Sequence, residues 1–154
     1  MFDRLELKIP PPVVTLAVGV LMWALARLLP ALHFTMPLRG VLATAFAVAG
    51  LALVVACALQ FRRAGTTVNP MRPARVTTLV DTGLYRFSRN PIYLGDALLL
   101  VGWGVWLGNV ASIASITVFV WYLNRFQIEP EERVLRAAFG PAYDAYRARV
   151  RRWV

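Results

Sequence analysis

Between Leu79 and Gly95 the chain reads LVDTGLYRFSRNPIYLG. This run places Arg86, Arg89, Tyr85, Tyr93 and Pro91 at the mouth of a long apolar stretch. Guanidinium groups bind carboxylates through paired hydrogen bonds, and tyrosine faces attract cations. A polar, turn-forming run of this kind is a poor choice for packing alone, and it reads as one wall of a small-molecule site at a membrane surface. Further along lie Arg125, Glu129, Glu131 and Glu132. Arg125 and Glu129 stand four apart and so share a helix face; an interfacial ion pair explains them equally well. Glu131 and Glu132 also suit the positive end of a helix dipole. Asp96, about one turn inside an apolar span, is either functional or a hydrogen-bond partner to a neighbouring helix. Tyr143 and Tyr146 read as packing.

Composition says what must hold these groups in place. Of 154 residues, 58% are hydrophobic and only 16% charged, against about 45–50% and about 25% in a soluble domain. The charges are bunched, leaving long uncharged runs, as in an integral membrane protein. The net charge of +9 comes mainly from arginine. It fits cationic loops beside membrane spans better than nucleic-acid binding, since no aromatic-basic groove accompanies it. The single cysteine, Cys57, excludes an intrachain disulfide, and with one histidine, His33, no metal-ligand cluster forms. The N-terminal MFDRLELKIPPP does not read as a removable signal peptide.

The expected fold is all-α and membrane-integral, a single unit over residues 1–154 with about four spans. Uncharged runs and turn residues place the spans near 10–29, 39–61, 90–107 and 109–127, since roughly 20 apolar residues cross the hydrocarbon core. The stretch 97–124 lacks charge throughout. As one helix it measures about 42 Å, too long for a core of about 30 Å, so it folds back near Leu107-Gly108-Asn109. An even hairpin there sets Arg89 at the depth of Ile128 and Tyr93 at that of Asn124, so the polar wall meets the 124–129 segment at one interface. Gly102 and Gly104 allow close helix contact. Two amphipathic helices near 129–139 and 141–152, divided by Gly140-Pro141, lie on the membrane and roof the site. Arg147, Arg149, Arg151 and Arg152 suit anionic lipid. Basic residues crowd the 62–92 loop and are absent from the 30–37 turn. That puts the loop, both termini and the site on the cytoplasmic face of the inner membrane.

The wall offers arginine, carboxylates and tyrosines but no His, Cys or Lys, which disfavours nucleophilic catalysis. Chemistry driven by positioning two reactants and excluding water remains. Methyl transfer from a sulfonium donor to an already ionised nucleophile fits that description.

The pattern Leu79-Val80-x-x-Gly83-x-Tyr85-x-x-x-Arg89-Asn90-Pro91-x-Tyr93-x-Gly95 is followed by Glu131-Glu132-x-x-Leu135-x-x-x-Phe139-Gly140-x-x-Tyr143-x-x-Tyr146-x-x-x-Val150. Together they resemble the isoprenylcysteine carboxyl methyltransferase and phospholipid methyltransferase superfamily, over roughly the C-terminal half. The resemblance implies a multi-span helical enzyme that binds S-adenosylmethionine without a Rossmann domain. Its lipophilic acceptor, a membrane-borne small molecule or lipid, enters from the bilayer. It implies cofactor contacts from Thr77, Leu79, Val80, Tyr85, Arg89, Asn90, Pro91 and Tyr93. It adds a carboxylate from Glu129, Glu131 or Glu132, with Arg125 and Glu129 in catalytic positions and Arg125 holding an acceptor carboxylate or steering the transfer. Asn90 stands where the family commonly has His; it still forms hydrogen bonds but does not accept a proton. An NADPH-dependent enzyme resembling sterol reductases and a non-catalytic scaffold are the alternatives.

Overall fold

The computed structural model describes residues 6–63 and 79–154. Thr77 and most of the basic loop fall outside them. The described residues are helical throughout, with no strand among them. Helix α1, Pro11–Leu28, starts on prolines whose missing N–H groups cost nothing in a first turn. It buries Val14, Val18, Met22 and Ala26 at four-residue spacing and leaves Leu16, Val20 and Trp23 exposed. Helix α2, Arg39–Arg63, buries only Ala43, Gly50 and Cys57. Seven-residue spacing aligns these three in one narrow seam. Both helices are long and apolar enough to cross a membrane. Helix α3, Pro91–Leu107, is apolar but shorter.

Helices α2 and α3 make the most extensive contact in the molecule. Small residues make this possible: a Cβ added at Gly50 falls 2.6 Å from the Gly95 carbonyl oxygen, and one at Gly102 falls 2.8 Å from that of Ala43. The backbones touch, so bilayer-compatible helices associate here through close packing rather than through expulsion of water.

Helix α3 ends at Gly108, whose left-handed φ of 60° turns the chain back. Asn109 then caps helix α4, Val110–Ala114, accepting from the Ser112 N–H, and its side-chain amide donates to the Leu29 carbonyl at 2.9 Å. The Phe34 N–H bonds the Gly108 carbonyl, so this turn and the α1–α2 connection lie at one end. The 79–91 segment and the C-terminal tail share the other end.

The returning arm is less regular than one straight span. Helix α4 and helix α5, Ile116–Leu123, meet at Ser115. A π turn, Asn124–Ile128, then runs directly into helix α6, Glu129–Phe139. Gly140, at φ 49°, separates α6 from helix α7, Pro141–Arg149. Val150 is extended, and the tail doubles back.

Candidate active site

The Leu79–Asn90 corner is built on α2. The Gln60 side-chain amide donates to the Thr82 carbonyl at 2.6 Å, and its oxygen accepts from the Leu84 N–H at 3.3 Å. A short 3-10 turn, Gly83–Arg86, follows and buries Tyr85 edge-on against Phe61. Leu79, Val80 and Leu84 pack around a buried cluster of Cys57, Tyr85, Tyr143 and Tyr146. The Tyr146 hydroxyl donates to the Tyr85 carbonyl at 2.8 Å. Packing therefore accounts for the tyrosine pair.

From this base, Arg89 reaches under the tail. Its guanidinium donates to the carbonyls of Arg147 and Val150 and, at 2.8 Å, to Glu132 Oε1. Asn90 Nδ2 donates to the Arg152 carbonyl at 2.9 Å. Pro91 opens α3, and one turn on the buried Tyr93 donates its hydroxyl to Glu131 Oε1 at 2.6 Å. The two sequence motifs thus meet through side chains: Arg89 with Glu132, and Tyr93 with Glu131.

The partner of Tyr93 lies seven residues beyond Asn124, the level that an even hairpin assigns to it. The break at Ser115 and the wide π turn explain the offset, because a π turn fits more residues into each unit of rise than an α turn does. The π turn also interrupts the four-residue face expected for Arg125 and Glu129. Arg125 instead turns to the N-terminal segment, donating to Glu6 Oε1 at 2.6 Å; Arg133 pairs with the other Glu6 oxygen. Glu129 is half-buried, and its charge acts on Arg152. Because α6 continues the preceding helix, no free helix N-terminus faces Glu131 and Glu132, and the dipole account of them lapses. Asp96 is buried within α3, beside Thr15 of α1.

Two adjacent carboxylates end in opposite electrostatic situations. Burial pushes Glu131 up to about 7; the Tyr93 hydrogen bond pulls it down and the charge of Glu132 adds to the rise. Burial also works to raise Glu132, but hydrogen bonds and charge from Arg152 and Arg89 outweigh it and hold Glu132 below the usual carboxylate value. Glu132 is a fixed anion between two guanidiniums. Glu131 changes charge near neutrality. Such a split between neighbouring acids is the pattern by which sites assign different tasks to one residue type.

The sequence gave no sign of Arg152, which the arginine pattern grouped with lipid-facing residues. The structure turns it inward onto Glu132. Ser88 and Trp153 also join the site, the first bonding the Arg152 carbonyl and the Asn90 N–H, the second donating to Asn124 Oδ1 at 3.1 Å.

Comparison with known proteins adds the following. The family described as phospholipid methyltransferase matches residues 38–142. An uncharacterized protein of Haemophilus influenzae is 40% identical over 63 residues, covering 41% of this chain and all of that protein. The protein-S-isoprenylcysteine O-methyltransferase of Schizosaccharomyces pombe is 33% identical over 72 residues, 47% of this chain and 30% of that protein. The human protein of the same name is 37% identical over 73 residues, 47% of this chain and 26% of that protein. The shared stretch spans about a third or less of these two methyltransferases. No solved structure matches.

Proposed function

The chain belongs to the phospholipid methyltransferase family, and from that premise we propose that it transfers a methyl group from S-adenosylmethionine to a lipophilic acceptor within the membrane. The observation that carries this reading is the pairing of Tyr93 with a buried Glu131 beside the Arg89 corner. An amino-acid-bearing sulfonium needs a carboxylate for its cationic groups and a donor for its carboxylate. Glu131, ionised, supplies the first. Arg89 Nε is buried and has no acceptor among the described residues, so the corner has a donor to spare for the second.

When bound, the cofactor supplies a methyl group activated by its positive sulfur. The chain's own residues then bind, orient and exclude water. Glu131 attracts the cation, Tyr93 fixes the Glu131 carboxylate, and Asn90 with Arg89 holds the wall on which the cofactor rests. An acceptor that arrives as a carboxylate or thiolate is already a nucleophile, so no residue need remove a proton.

In this reading α3 and the arm from α4 through the π turn join α1 and α2 as spans. Helices α6 and α7 cover the site at the cytoplasmic face of the inner membrane. A groove of about 410 Å³ between α1 and α3, lined by Leu16, Val20, Trp23, Leu99, Leu100 and Trp103, supports a lipophilic acceptor. Being almost wholly apolar, it suits an alkyl or isoprenoid chain. Calorimetric titration of the detergent-purified chain tests the proposal. S-adenosylmethionine should bind, NADPH should not, and Arg89→Ala should weaken binding. Wild-type protein that binds neither cofactor refutes it. Mass spectrometry of membrane lipids with and without the protein, searching for a species heavier by one CH₂, then identifies the acceptor.

A further inference from the structure

Residues after 142 lie beyond the family match, yet they complete the charged centre of the site. After α7 the tail runs beside the Arg89 corner. The Arg89 N–H donates to the Arg151 carbonyl at 3.0 Å, and Ser88 and Asn90 bond the Arg152 carbonyl. Trp153 pins the end to Asn124. These bonds anchor the tail without the Arg152 side chain. That side chain forms a bidentate fork on Glu132: Nε to Oε1 at 3.2 Å and a terminal nitrogen to Oε2 at 2.8 Å. Arg89 holds Oε1 from the other side, and the Glu132 side chain is only 12% exposed.

We infer that Arg152 is a positioning residue of the cofactor site: with Arg89 it clamps Glu132 as a neutralised, immobile charge, leaving Glu131 as the carboxylate that faces a bound cation. The inference rests on the methyltransferase reading. It also distinguishes Glu131 from Glu132 and Glu129 as the cofactor's carboxylate. Its physical basis is competition between like charges. Glu132 repels the ionised form of Glu131, and each guanidinium on Glu132 weakens that repulsion. The other groups acting on this centre are Tyr93 and, through it, Asp96 of α3, Tyr85 of the corner, Glu129 of α6 and Tyr143 of α7. None of them replaces the fork.

The test is calorimetric titration of the full-length, detergent-purified chain with S-adenosylmethionine at pH values from about 5.5 to about 9. Affinity should rise with pH as Glu131 ionises. In Arg152→Ala the midpoint of that rise should move upward by about half to one pH unit, and Arg152→Lys, which keeps the charge, should restore most of it. Uniform weakening at every pH, or Lys failing to rescue, overturns the inference and leaves Arg152 as a tail anchor. If Arg152→Ala does not fold, Arg152→Gln followed by thermal melting against pH reads the same midpoint without ligand; an unmoved midpoint again overturns it. Wild type that binds no S-adenosylmethionine at any pH refutes the methyltransferase reading and takes this inference with it. A wild type that binds, beside a variant with the wild-type pH profile, refutes this inference alone.

Discussion

Replacing Glu131 by Gln should stabilise the protein above neutrality and change little in acid. Burial raises the Glu131 carboxyl from its ordinary value of 4.5 to about 7. A group with a higher pKa folded than unfolded favours the fold while protonated. Its contribution is complete below about pH 4.5 and disappears as pH rises through about 7. Each pH unit of difference corresponds to about 1.4 kcal/mol, so the ionised side chain weakens the fold at pH 8 by about 3 kcal/mol relative to acid. Gln does not titrate, and its carbonyl can still accept from Tyr93. The stability of Glu131→Gln minus that of wild type should therefore climb by about 3 kcal/mol between pH 4.5 and pH 8, or roughly 6 to 10 °C in melting temperature. Tryptophan fluorescence during thermal unfolding in one detergent at several pH values measures it. A difference independent of pH, or one that falls as pH rises, refutes the burial argument. The same variant should lose affinity for S-adenosylmethionine at pH 8, where wild type carries the charge.

Tyr93→Phe removes the 2.6 Å hydrogen bond that favours ionised Glu131; the melting profile against pH should move its midpoint upward. Glu132→Ala leaves the 10%-exposed Arg89 without its counter-charge and should cost about 3–5 kcal/mol. Its melting temperature should fall far below that of Glu131→Gln at every pH. Gly50→Ala drives a methyl to 2.6 Å from the Gly95 carbonyl oxygen and should cost about 2 kcal/mol through separation of α2 from α3. Melting reads this loss, with cofactor affinity per folded molecule nearly unchanged.

Much of this arrangement is written locally in the chain. The turn at Gly108 follows from an uncharged stretch too long for one crossing and from a residue that tolerates positive φ. The Arg89-Asn90-Pro91 corner is a local stop signal before an apolar helix. The partners of those residues are less legible. Arg125 meets Glu6 across 119 positions of sequence, and nothing near either residue marks the other. Arg152 follows the last helix among arginines that are mostly exposed, and periodicity does not separate one facing solvent from one facing a carboxylate. The π turn leaves no compositional trace, yet it decides which side chains Tyr93 can reach. Thr77 lies outside the described residues, so its place beside the corner remains a proposal.

That π turn has an implication for the chain's tolerance of length changes. Deleting one amino acid between Asn124 and Ile128 would close it into an ordinary coil of the helix and swing all that follows by about 100° in azimuth. Glu131 would leave Tyr93, and the tail would be carried away from the corner it crosses. A single codon thus sets the angular phase between the bilayer-embedded arm and its cytoplasmic cover, and restoring the residue anywhere downstream of Glu132 would not recover it.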